Sequence, residues 1–435
     1  MKIICALFAV FILFSCSAGQ DNERPKEQLY QYDGTYEFPD GRRITLGIFD
    51  EFKKSLVYLD LRTLKQGALI PVSGDKFREN NDNLYTFDFS RDAGGQIGSL
   101  TTTQGDTVST ARRVMPHTRT PVTFRSSGRR LSGDLYMPTS GGRHPVVVFA
   151  HGSGPATRSV SFFTTFFLQI GVGVLTFDKQ GAGESEGEWE TASFDALASD
   201  VMAAVNFAAA WPGADRNRIG ILGNSQGGWV GSLAAAKSRE VDFLLMRVGA
   251  GQSVIDTIAH EYKGMFLADG MAEKDVEEAI GMFRAHWAEA AKGGTWERGN
   301  AVIDSYRDRP WFTKIYPKPR EKTDSSEKWW LWLKHNLYYD SYDSLKRIKI
   351  PVLWLMAEKD WNVNSQASYP RISDALRRAG NKDQRVKILP NMGHNGLVVK
   401  TGFYNDPFSW QYAPGFWETM TKWLQDRGFA PRPKK

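Results

Sequence analysis

Ile219-Gly-Ile-Leu-Gly-Asn-Ser-Gln-Gly-Gly228 is the stretch that decides the architecture. A short apolar run, Ile219 to Leu222, leads into Gly223-x-Ser225-x-Gly227, and an Ala-rich segment from Gln226 to Lys237 follows. Strand, tight turn and helix in that order are the context of a nucleophile elbow. Glycines are required because a sharp strand-to-helix turn brings backbones too close for side chains and strains the central residue. The arrangement predicts a Ser225 hydroxyl held in the open beside the positive end of a helix.

Outward from the elbow, other mainly apolar runs have the length of strands buried on both faces: Pro145–Ala150, Val172–Phe177, Phe243–Val248, Pro351–Met356 and Arg385–Leu389. Helical segments such as Ser193–Trp211 separate them, so right-handed crossovers and a mostly parallel sheet are expected. Leu131–Pro138 reads as an edge strand closed by proline, and His117 as part of a linker. Residues 253–346 break the alternation: they are helical in pattern and rich in Trp, Tyr and Met, as in a cap inserted over the sheet.

A serine needs a base, and the base an orienting carboxylate. His394, in Leu389-Pro-Asn-Met-Gly-His-Asn-Gly396, follows the last apolar run, at the sheet end where open α/β sheets bind ligands. His144 precedes its strand, and His260, His286 and His335 fall in the helical insertion. Asp360 directly follows the preceding strand, with Glu358 as its near competitor and Asp340 and Asp343 as less favourable ones. Serine, acid and histidine then occur in the chain order that the elbow motif predicts. His151-Gly-Ser-Gly154 follows the first buried strand. The backbone N–H of Ser153 or Gly152, together with that of Gln226, is the candidate oxyanion hole, and His151 is assigned to positioning that loop.

These motifs carry a resemblance. Residues from about 120 to 430 resemble the α/β-hydrolase family, in its prolyl-oligopeptidase, serine-aminopeptidase and dienelactone-hydrolase-like branch. The matching motifs, in order, are His151-Gly-Ser-Gly154, Asp178-Lys-Gln-Gly-Ala-Gly-Glu-Ser185, Gly223–Gly228, Glu358-Lys-Asp360 and Gly393-His394. The resemblance implies a serine hydrolase with Ser225, Asp360 and His394 as its triad, no metal or organic cofactor, and a small ester or short peptide as substrate. Ester cleavage through an acyl-enzyme is the first reading. An aminopeptidase is the second, with Glu184, Glu261 or Glu273 available to hold a substrate amine. A ligand-binding lipoprotein that no longer turns over is the third. Ten of the large rings in the cap (Trp287, Trp296, Trp311, Phe312, Trp329, Trp330, Trp332, Tyr338, Tyr339 and Tyr342) suggest hydrophobic or aromatic esters, although most of them are expected simply to pack the cap.

The remaining sequence sets the surroundings. Residues 29–115 form short alternating runs (Ile44–Phe49, Leu56–Leu61, Leu84–Phe89) punctuated by turns, which predicts a small antiparallel β module ahead of a hydrolase domain over 116–435. That module is far too short for the propeller of the larger oligopeptidases. Lys and Arg number 55 against 49 Asp and Glu, and this scattered excess of +6 argues against nucleic-acid binding. At the start, Lys2 and the apolar run Ile3–Phe14 read as a signal segment over 1–15. Leu13-Phe-Ser-Cys16 resembles a bacterial lipobox, with Cys16 lipidated and residues 16–28 as the tether; cleavage near Ala18-Gly19 is the alternative. The expected location is the bacterial cell envelope, facing the periplasm or exterior, with membrane contact through the anchor alone. The two cysteines, Cys5 and Cys16, both lie in this leader, which leaves the rest of the chain without thiol chemistry.

Overall fold

The computed structural model describes residues 26–49, 55–407 and 409–432. The lipobox and Cys16 lie outside the described residues.

Eight short strands come first: β1 (Gly34–Glu37), β2 (Arg43–Phe49), β3 (Ser55–Asp60), β4 (Gln66–Ser73), β5 (Lys76–Glu79), β6 (Tyr85–Arg91), β7 (Ile97–Gln104) and β8 (Thr107–Val114). Each pairs antiparallel with the next, and β8 returns to β1, closing a barrel. The period-two pattern explains the filling. Leu46, Leu56, Tyr58, Phe77, Phe87 and Leu100 share one packed interior. On β2 and β3 the alternate residues are buried too: Phe49, Val57 and Leu59 face outward, onto the second domain.

That domain is one eight-stranded sheet, built from β9 (His117–Ser126), β10 (Arg129–Pro138), β11 (His144–Ala150), β12 (Gly173–Phe177), β13 (Ala214–Asn224), β14 (Phe243–Arg247), β15 (Val352–Ala357) and β16 (Gln384–Leu389). Its order is β16-β15-β14-β13-β11-β12-β10-β9, parallel from β12 through β16 and antiparallel at β10 and β9. The strand ending at Pro138 is therefore not the edge, and His117 opens a strand rather than sitting in a linker. β9 is the edge on that side; β16 is the other, only partly buried rather than covered on both faces as expected for Arg385–Leu389. The β9 run of Thr, Arg and Pro is exposed at alternate positions, so it lacks the apolar signature of the central strands.

Helices cover both faces. Phe194–Ala210 begins at Ser193, whose side chain accepts from the Ala196 N–H as an N-cap. Between β14 and β15 the cap rises as Val254–Ala268, Glu273–Ala291, Trp296–Asp304 and Asp324–Asn336, with two shorter turns. Helix Ser161–Gln169 lies on the other side, where Phe162, Phe166 and Phe167 meet the outward face of β2 and β3. The contact continues into the C-terminal segment: Trp417 Nε1 donates to Gln66 Oε1 at 3.1 Å, and Gln66 Nε2 donates to the Tyr412 carbonyl at 3.2 Å.

Candidate active site

Three loops at the carboxyl ends of β13, β15 and β16 converge. At the first, Ser225 sits in the left-handed region, with φ of 52°. A serine has no steric liking for that conformation; it is held there because the neighbouring backbones interlock. A Cβ on Gly227 would stand 2.0 Å from the Ala150 carbonyl oxygen, and one on Gly223 would stand 2.4 Å from that of Gly227. Both glycines are thus demanded by close approach, and the serine is left projecting into a cavity of about 520 Å³.

His394 Nε2 lies 2.9 Å from Ser225 Oγ, on the side where the hydroxyl donates to it. Its Nδ1–H donates to Asp360, both carboxylate oxygens being 2.9 Å away. The Asp360 side chain is completely buried, and Oδ1 also accepts the backbone N–H groups of Asn362 and Val363 at 2.9 Å each. Four donor contacts to one carboxylate fix the imidazole with its bare nitrogen toward the serine. The competitors are engaged elsewhere. Glu358 accepts the Asn391 N–H at 2.8 Å, Asp340 is paired with Arg371, and Asp343 with Lys346.

The loop after β11 borders the serine. A Cβ on Gly152 would fall 3.6 Å from Ser225 Cβ. Among the described residues, the backbone N–H groups of Gly152, Ser153 and Gln226 donate to no protein acceptor. His151 donates from Nε2 to the Phe177 carbonyl at 2.5 Å, and burial beside the Lys179 ammonium holds its pKa down to about 4.

Three polar residues that the sequence reading set aside or left undecided also meet here. His260, from the cap, donates to the backbone carbonyl of Asp360 at 3.1 Å. Glu261 lines the cavity and accepts from Asn362 Nδ2 at 3.0 Å. Burial pushes its carboxyl up to about 7, against an opposing pull from His394. Glu184, by contrast, is exposed and paired with Arg158. Lys179 is buried under the His151–Gly154 loop. Position in the Asp178–Ser185 motif was its only advance signal.

The apolar wall comes mostly from the sheet side, with Phe149, Phe163, Leu222 and Trp229. Of the ten aromatic residues singled out in the cap, Trp332 alone is among the cavity-lining residues; Trp287, Trp296, Trp311 and Trp330 are buried in the cap's own packing.

The sheet order, the elbow and the converging loops define an α/β hydrolase. The family model for serine aminopeptidase, S33, matches residues 142–398, and the chain belongs to that family. Among relatives, an uncharacterized 31.7 kDa protein of the traX-finO intergenic region of Escherichia coli is 25% identical over 249 residues, covering 55% of this chain and 80% of its own. The quorum-quenching protein AidA of Acinetobacter baumannii is 33% identical over 116 residues, covering 26% of this chain and 38% of its own. Among solved structures, the Pyrococcus furiosus esterase Pf2001 aligns with a TM-score of 0.41 at 17% identity, over 63% of this chain and 82% of its own. Est1E of Butyrivibrio proteoclasticus, solved with ferulic acid, gives 0.42 at 17% identity, over 71% and 97%.

Proposed function

We propose that this hydrolase cleaves carboxylic esters through an acyl-enzyme. The reading rests on the unbroken relay from Asp360 through His394 to Ser225 on the cavity wall, with 2.9 Å at each step. Ser225 Oγ attacks the ester carbonyl carbon while its proton passes to His394 Nε2. The carbonyl electron pair becomes an alkoxide facing the N–H groups of the 152–153 loop and Gln226. Collapse expels the alcohol, which takes the proton back from His394, and leaves Ser225 acylated. Water then repeats the sequence with His394 again as base, releasing the acid. Asp360 keeps its charge throughout and stabilises the imidazolium.

The aromatic and aliphatic wall of Phe149, Phe163, Trp229 and Trp332 supports a preference for esters with a hydrophobic or aromatic portion. One observation favours a second reading, aminopeptidase activity: Glu261 is a cavity-lining carboxyl close enough to His394 and Asp360 to feel their charges. A fluorophosphonate probe should label the wild-type protein and spare Ser225→Ala; equal labelling of both would defeat the proposal. Turnover of p-nitrophenyl esters against aminoacyl-anilides then decides between ester and peptide.

A further inference from the structure

The Asp178–Ser185 motif takes no direct part in the proposed reaction, yet its members grip the loop that borders Ser225. Asp178 Oδ1 accepts the Arg158 N–H at 2.8 Å, and its Oδ2 accepts the Glu184 N–H at 2.9 Å. The Lys179 backbone N–H donates to the Ala156 carbonyl at 3.0 Å. The Lys179 side chain, 5% exposed as a residue, reaches further along the same loop. Its Nζ donates to the Gly152 carbonyl at 2.5 Å, the Gly154 carbonyl at 2.9 Å and Gln226 Oε1 at 3.4 Å. An ammonium has three protons, and all three are used.

The acceptors are informative. In a trans peptide the carbonyl of one residue and the N–H of the next point to opposite sides. With the Gly152 carbonyl drawn down onto Lys179, the Ser153 N–H is turned the other way. The Gly154 carbonyl is held in the same manner, and there the following residue is Pro155, which has no N–H to aim. The third acceptor is the side chain of Gln226, whose backbone N–H is the other candidate donor to the alkoxide. Resting on the proposed acyl-enzyme reading, we propose that Lys179 is a positioning residue of the oxyanion hole. One buried cation locks the loop to the elbow and selects the Ser153 N–H, over that of Gly152, as the partner of the Gln226 N–H.

The arrangement has a charge logic. The cation lies behind the Gly152 carbonyl, whose peptide dipole ends at the Ser153 N–H facing the alkoxide. It therefore neutralises the end of that dipole that faces away from the reaction, and holds it oriented before charge develops. Such preorganisation assists the transition state more than the bound ester. Burial holds the Lys179 pKa down to about 7, so the ammonium form that all three donated bonds require is full below that pH and is lost as pH rises through it.

The test compares Lys179→Met, which keeps length and apolar stem but removes the donors, with wild type. A trifluoromethyl ketone serves as the transition-state mimic: Ser225 Oγ bonds to its carbonyl carbon, the serine proton goes to His394, and the carbonyl pair becomes an oxyanion in the hole. Loss of one oxyanion donor typically costs about 100-fold or more. Lys179→Met should weaken ketone inhibition and lower kcat on p-nitrophenyl acetate by comparable factors of about 100, with KM held within about threefold. A kcat and inhibition constant both within about threefold of wild type would overturn the assignment, as would a proportional loss in KM, the mark of general distortion. If Lys179→Met does not fold, Gln226→Leu takes its place. It removes one of the three acceptors and keeps the backbone donor, and ketone affinity should fall about tenfold; unchanged affinity would overturn the proposal. Ser225→Ala run alongside separates the two levels: ester turnover surviving in that variant refutes the acyl-enzyme reading itself, whatever Lys179 does.

Discussion

Asp360→Asn is the most informative single substitution, because the structure dictates how the amide would sit. Asp360 Oδ1 accepts two backbone N–H groups, from Asn362 and Val363. Only the amide oxygen can take that position, so the amide nitrogen must occupy the place of Oδ2, and both places lie 2.9 Å from His394 Nδ1. Half of the acceptor pair facing the imidazole N–H thus becomes a donor, which favours the tautomer with its proton on Nε2, pointing an N–H at Ser225 Oγ where the mechanism needs a lone pair. The imidazolium also loses its counter-charge. In a serine protease the corresponding change lowers kcat by about 10⁴, equal to about 5.5 kcal/mol of transition-state stabilisation. We expect a fall of that order in kcat on p-nitrophenyl acetate, with KM within about threefold, since Asp360 is not among the cavity-lining residues. Labelling by a fluorophosphonate, which also needs the base, should slow in parallel. A variant within about tenfold of wild type in both assays would refute the relay, because a neutral amide supplies no counter-charge to the imidazolium in any rotamer.

Glu261→Gln tests the cavity carboxyl. Its folded pKa of about 7 stands above the usual 4.5, so its protonated form favours the fold. That contribution is full below pH 4.5 and is lost as pH rises through 7. On the order of 3 kcal/mol should separate the variant's advantage at pH 8 from that at pH 4 in urea titrations, and a pH-independent difference would contradict it. Trp332→Ala should shift selectivity between bulky aromatic and acetyl esters and cost about 3–5 kcal/mol of stability, whereas Trp287→Ala should cost as much with selectivity unchanged; identical selectivity in both removes Trp332 from the pocket. On the lipobox reading, Cys16→Ala should move the protein from the membrane to the soluble fraction, and wild-type protein found wholly soluble after export would defeat that reading.

The elbow was legible because its glycines answer to backbone contacts a few residues apart, which leave a local spacing. His394 and Asp360 were legible because each follows an apolar strand in a fixed chain order. β9 was missed because a half-exposed edge strand with Thr, Arg and Pro looks like a linker. Closure of the barrel between β1 and β8 joins strands some 80 residues apart, and nothing local records it. Lys179 and Glu261 carried no signal of burial, because charged side chains are ordinarily surface groups and only the tertiary fold covers these two. Most of the cap rings pack the insertion, as their number in a large helical segment suggested; of the ten, Trp332 is the one that reaches the cavity, and nothing in the local sequence sets it apart.

The seam between the barrel and helix Ser161–Gln169 has a consequence for how the molecule comes apart. Phe49, Val57 and Leu59 share one apolar cluster with Phe162, Phe166, Trp410 and Trp417, so neither half owns that surface. Heat or denaturant should therefore melt both halves in a single transition rather than two. Excising the barrel would leave a broad ring-lined face in water, the kind of patch that drives self-association. Phe163, which belongs to the same cluster, also lines the cavity, so loosening the seam would be felt at the apolar wall beside Ser225. Anyone trimming this chain to a minimal hydrolase would be cutting through its core.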